Sequence, residues 1–147
     1  MPNNRISTST LLQRLFKTTS LERVINRFDD AELDVPLFHE YICNLCTEKG
    51  IVPEQIIKNA DIERTFGHKF FNGTRNPSRD RVIQLAFGFC MDYDETQKLL
   101  IIAKRGALYA KVKRDAVIIY ALKRGLDVFA VQATLYELSM PLLGEMR

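Results

Sequence analysis

Cys43 and Cys46 form a C-x-x-C with His39 one helical turn ahead of it, a spacing that could gather thiolates and an imidazole on zinc or support thiol–disulfide chemistry. A structural zinc site draws four ligands, usually as two separated pairs, and the only other cysteine of the chain is Cys90. Cys46 also falls on the apolar stripe of its segment, so the pair reads as core, and Cys90 reads the same way. Asp92-Tyr93-Asp94-Glu95 resembles a metal loop in composition, but Asp92 and Glu95 have capping-box spacing, which orders a helix start instead. His68 has neither a nucleophile nor a ligand pattern beside it. No Gly-rich phosphate cradle, H-E-x-x-H or G-x-S-x-G occurs. The expectation is therefore no catalytic residue, no metal, no cofactor and no enzyme; the chemistry on offer is recognition.

That chemistry concentrates in ERTFGHKFFNGTRNPSRD, residues 63–80, which interleaves aromatic, cationic and turn-forming residues. The net charge is only +3, too small to define a partner, but charge is segregated. Residues 64–81 hold Arg64, Lys69, Arg75, Arg79 and Arg81 against the single acid Asp80, and residues 104–114 hold Lys104, Arg105, Lys111, Lys113 and Arg114 with no acid. Residues 29–34 carry the opposite sign. Either basic run can be a solvated face or a contact to an anionic polymer.

The elements that must position these residues are helices. Apolar residues recur at helical spacing in Leu11, Leu12, Leu15 and Phe16, in Leu21, Val24, Ile25 and Phe28, in Phe38, Tyr41, Ile42, Leu45 and Cys46, and onward through Val82–Phe89, Leu99–Ala103 and Val128–Leu138. The β-branched run Val117-Ile118-Ile119-Tyr120 is lengthened by Ala116, Ala121 and Leu122, so it reads as a buried helix. Thr10 with Gln13, Thr19 with Glu22 and Asp92 with Glu95 supply capping boxes; Gly50, Gly73, Gly106 and Gly125 supply left-handed stops. The expected fold is all-α with about eight short helices. No apolar run is long enough to span a bilayer and the first ten residues lack an apolar h-region. With an odd number of cysteines, this predicts a cytoplasmic protein with reduced thiols and no membrane association.

Residues 38–103 read as five helices in which a short second helix (53–60), a turn at Asp61-Ile62 and a third helix (63–72) form a helix-turn-helix. Ile62, Phe66 and Phe70 share the inward face of the third helix. Arg64, Thr65, His68, Lys69 and Asn72 then face outward on a rod narrow enough for a DNA major groove about 12 Å wide, where base edges carry a donor and acceptor code. Arg64 suits a two-point contact to guanine, and Asn72 suits adenine or a phosphate. Gly73 stops the third helix, Asn76 is expected to cap the fourth, and Pro77 to occupy its first position. Thr74, Arg75, Asn76, Ser78 and Arg79 would flank the recognition helix and meet backbone phosphates.

Residues 37–103 resemble the Xre, or lambda-repressor-like, helix-turn-helix family, most clearly in FFNGTRNPSRDRV followed by LAFGFCMDYDET. The resemblance implies a five-helix DNA-binding domain acting as a homodimer on operator DNA, with Arg64, Thr65, His68 and Lys69 facing bases and Arg75 and Ser78 facing phosphates. Residues 1–36 and 104–147 would be helical extensions that pack on the core, dimerise or receive a protein partner. Three positions depart from the family pattern: Ile57 where a small Ala is usual, Asp61 where the turn usually has Gly, and Gly67 where a branched apolar residue is usual. Ile57 and Asp61 imply an unusual angle between the second and third helices, and Gly67 implies that another backbone packs close. Asp61 and Glu63 also put carboxylates at the helix end that should approach phosphates, which leaves an adaptor or antitoxin-like protein-interaction module as the alternative to a transcriptional regulator.

Overall fold

Residues 36–144 are described by the structure, a computed structural model, and these described residues form seven α-helices and no strand. They are α1 (Phe38–Lys49), α2 (Pro53–Asn59), α3 (Arg64–Phe71), α4 (Arg79–Gly88), α5 (Tyr93–Ile102), α6 (Lys113–Lys123) and α7 (Val128–Glu137). The all-α expectation holds, including the β-branched run at 117–120, which lies within α6. The amphipathic segments expected between residues 10 and 28, with their two capping boxes, lie outside the described residues.

Local punctuation follows the sequence in most places. Asp92 and Glu95 form the expected capping box at the start of α5, and Gly50, Gly73 and Gly125 take left-handed backbone after α1, α3 and α6. Gly106 does not. The chain turns earlier, at Lys104 with φ 59°, directly after α5. Nor is Asn76 the cap of α4. Ser78 caps that helix by accepting from the Arg81 amide, and Pro77 is buried one position before the cap, its carbonyl accepting from Arg105. The Arg75 amide still donates back to the Lys69 carbonyl, so the hydrogen bonding at the end of α3 extends to that residue. Cys90 is exposed rather than core, because the chain leaves α4 there in a left-handed conformation, φ 58°.

Helix α4 is the axis of the packing. Every residue from Val82 to Phe89 is buried, and α4 meets α2, α5 and α7. Gly88 allows the approach to α2, since a Cβ there would lie 2.6 Å from the Ile56 carbonyl oxygen. Ile118, Leu122, Val128, Val131, Leu135 and Leu143 join the same apolar cluster as Ile42, Ile56, Phe70 and Leu99. The five-helix segment and the residues that follow it thus share one core; each fully buried Leu or Ile contributes roughly 1.5–3 kcal/mol.

Two reciprocal ion pairs join the starts of α4 and α6. Arg79 donates to both oxygens of Asp115 at 3.1 and 2.8 Å, and Arg114 to both oxygens of Asp80 at 3.0 and 2.8 Å. Each guanidinium also reaches backbone carbonyls. Arg79 takes Gly106 and Ala107, and Arg114 takes Pro141 and Leu142. Asp80 in turn accepts from the Gly144 amide and Asp115 from the Tyr109 amide. Burial pushes the Asp80 carboxyl up, but the hydrogen bonds from Arg114 and Gly144 and the nearby Arg114 and Arg79 charges outweigh it and hold the group below the ordinary carboxylate range.

Candidate nucleic-acid interface

Helix α2 ends at Asn59 and α3 begins at Arg64, so the two are joined by a tight turn. Asp61 takes it in left-handed backbone, φ 58°, a conformation aspartate tolerates better than most residues with a side chain. The buried side chain of Gln84 fixes the turn from α4, donating to the Ala60 carbonyl at 3.2 Å and to that of Asp61 at 3.4 Å. Between the helices, a side chain and not the expected backbone packs on Gly67: Ile57 fills the place of the missing side chain, and a Cβ on Gly67 would stand 2.5 Å from Ile57 Cγ2. Ile57 and Gly67 therefore complement each other in volume, bulk on α2 against a gap on α3. Asp61 occupies a position with the backbone conformation that glycine adopts most easily.

The inward face of α3 carries Phe70 and Phe71, and Ile62 in the turn before it joins them; all three are buried. Phe66 is only partly buried. It meets Phe70 edge-on at 4.8 Å between centroids, and the guanidinium groups of Arg75 and Arg81 lie 5.1 and 5.0 Å from its ring centre. Arg64, Thr65, Lys69 and Asn72 are exposed and His68 is half-buried. Four of the five expected base-facing residues thus lie on a helix whose other side is held in the core, and the fifth, Asn72, is its C-cap.

Electrostatics at the start of α3 are mixed. Glu54 of α2 pairs with Arg64 and lies 3.6 Å from His68 Nε2. The Arg64 hydrogen bond and charge, with His68 adding to them, hold the Glu54 carboxyl below its ordinary range. Glu63 caps α3, accepting from the Thr65 and Phe66 amides at 2.7 and 2.9 Å, and those backbone donors lower its pKa. The carboxylate at Glu63 therefore serves the helix start.

Residues expected to face phosphates divide. Thr74, Arg75, Asn76 and Ser78 are exposed. Thr74 donates through both its amide and its hydroxyl to the Asn72 side-chain oxygen, so a two-point adenine contact by Asn72 would require giving up that bond. Arg75 is held on Phe66 with its charge at the surface. Arg79 faces away from the group, toward Asp115 and the chain before α6. Within the second basic run, Arg105 and Arg114 are likewise committed to internal partners, while Lys104, Lys111 and Lys113 are exposed.

Cys43 donates to the Phe71 carbonyl at 3.2 Å and Cys46 is buried, its thiol pushed up to about 11 by burial and by the neighbouring Cys43. Among the described residues no cluster of three or more His, Cys, Asp or Glu side chains could hold a metal ion, and no helix is long and apolar enough to cross a membrane. Glu54 and Gln84 escape sequence reasoning because Glu54 meets Arg64 and Gln84 meets the Ala60 and Asp61 carbonyls across turns, at separations that no local periodicity marks, and Arg81 is read only as part of the basic run because its approach to Phe66 is set by packing. No family model, curated protein or solved structure matches this chain.

Proposed function

We propose that the chain is a sequence-specific DNA-binding regulator of the lambda-repressor-like type, which reads the major groove with α3 and works in the cytoplasm as a homodimer. One observation carries the reading: Arg64, Thr65 and Lys69, with Asn72 at the C-cap, are exposed together along a short helix whose opposite face is buried and whose entry turn is fixed by Gln84. Preorganised polar groups on a rigid rod are what base readout needs, because disordered side chains would lose entropy on binding. His68 adds a further polar contact, and Arg75, with Thr74, Asn76 and Ser78 beside it, would set register on the phosphates.

Labelled operator-region DNA titrated at several salt concentrations tests this. Arg75→Ala is expected to weaken all sequences and flatten the salt slope by about one. Arg64→Ala should mainly erode sequence preference, roughly ten- to a hundred-fold at the contacted base pair. Glu54→Gln gives the most informative comparison. It removes a negative charge from the DNA side and releases Arg64, so binding should tighten. Equal weak binding by all four proteins would favour the second reading, a protein-interaction module, which draws its support from the carboxylates Glu54, Asp61 and Glu63 around the start of α3.

A further inference from the structure

We infer that the loop between α5 and α6, together with Lys113 at the start of α6, is a second DNA-contacting element that grips the duplex backbone beside the phosphates taken by the turn after α3. The inference rests on the DNA reading and extends it past the five-helix segment. The loop backbone is fixed on several sides. Arg79 of α4 donates to the Gly106 and Ala107 carbonyls at 2.9 and 3.0 Å, and Arg105 donates to the Pro77 carbonyl at 3.0 Å. Gln97 of α5 makes a two-point pair with Leu108, accepting from its amide at 2.8 Å and donating to its carbonyl at 3.0 Å. The Leu108 side chain is buried, and the Tyr109 amide donates to Asp115 at 2.9 Å.

What this ordered backbone carries outward is cationic. Lys104, Lys111 and Lys113 are exposed, and none of them pairs with an acid among the described residues. Residues 104–114 contain no acid. The acids on the adjoining helix starts, Asp80 and Asp115, are each held at both oxygens by an arginine, so their charge is already balanced. Tyr109, 57% exposed, adds a hydroxyl between the lysines. Like charges fixed on a short loop repel one another; a polyanion lying across them removes that repulsion and releases its own counterions. Because the backbone is already ordered, little further entropy is lost on binding. Position selects the polyanion. Pro77, which Arg105 holds, stands between Asn76 and Ser78, two residues set to meet phosphates, so the loop continues that group directly. A duplex seated on α3 runs on past the turn with one phosphate charge about every 1.7 Å of axis, and its backbone reaches the loop without any new partner.

The test titrates the full chain against a mixed-sequence duplex of roughly three helical turns at several salt concentrations. Phosphate contacts carry no sequence information, so no operator is needed. Lys104→Gln, Lys111→Gln and Lys113→Gln combined should flatten the slope of log affinity against log salt by about two to three and weaken binding at least about ten-fold, with helicity unchanged. A matched variant, Lys98→Gln, Lys123→Gln and Arg124→Gln, loses the same charge elsewhere: each of these cations lies over a tyrosine ring, and Lys123 and Arg124 are at the far end of α6, about 16 Å from its start. It should change the slope by less than about one. Equal effects from the two triple variants overturn the inference, since net charge alone would then account for the loss. So does a lysine variant that binds like the wild type, as it would if a membrane or an acidic protein takes this loop. Both outcomes leave the role of α3 standing, whereas a wild type with no affinity for the duplex overturns this inference and the DNA reading together.

Discussion

Gly67 looks like a mistake when read along the chain, a helix-weakening residue in the middle of an eight-residue helix. Its cause lies on α2. Ile57 fills the vacated volume, and the exchange of bulk between the two positions is invisible to any one-dimensional pattern. Gly67→Ala gains up to about 1 kcal/mol of helix propensity, but the new methyl meets a fully buried β-branched side chain, and overpacking costs about 1–3 kcal/mol. Net destabilisation is expected in urea unfolding, and Ile57→Ala introduced with it should cost less than the sum of the two single changes. Thiol reactivity separates the cysteines in a related way. Native protein treated with iodoacetamide at mildly alkaline pH should be alkylated first at the exposed Cys90. Cys46, buried and with its thiol raised to about 11, should react only on unfolding.

Between elements, the crossed Arg79–Asp115 and Arg114–Asp80 pairs decide where much of the basic sequence goes. The repeated Arg-Asp dipeptide at 79–80 and 114–115 is legible in the sequence, but the pairing of each arginine with the other dipeptide's aspartate is not; it depends on α4 and α6 starting side by side. Asp115 is the more buried acid. Asp115→Asn removes the counter-charge from Arg79 in a largely dry setting, and a loss of about 3 kcal/mol is expected from urea titration. Asp80 adds a pH dependence whose sign follows from its lowered folded pKa. The stability it contributes is present above the unfolded value, near 4, and disappears as pH falls through the lower folded value. Acid unfolding of Asp80→Asn should accordingly be flatter below about pH 4 than that of the wild type.

Over the whole molecule, the class of fold was legible because periodicity and caps agreed from Phe38 to Leu138, and the inward Ile62 and Phe70 were read from spacing alone. What escaped was the sorting of charges. Composition cannot tell an arginine clamped to an aspartate from one at the surface, and so Arg79 read as a phosphate contact, while Arg105 and Arg114 stayed open between a solvated face and a contact. The shared core also makes residues 104–144 part of the fold rather than an appendage. A chain ending at residue 103 would expose the surface now covered by Ile118, Leu122, Val131 and Leu135, and circular dichroism should show it without a cooperative melting transition.

Among the described residues, four segments break off on Asp61, Cys90, Lys104 and Ser139, side-chain-bearing residues with φ of 58° or 59°. Each such conformation is strained by roughly 1–2 kcal/mol, against roughly 0.5–1 kcal/mol for the extra freedom a glycine loses on folding. Lys104→Gly and Ser139→Gly should consequently raise the melting temperature by a few degrees each. The protein is built with slack in its stopping points, so greater heat resistance is within reach without altering a single packing contact.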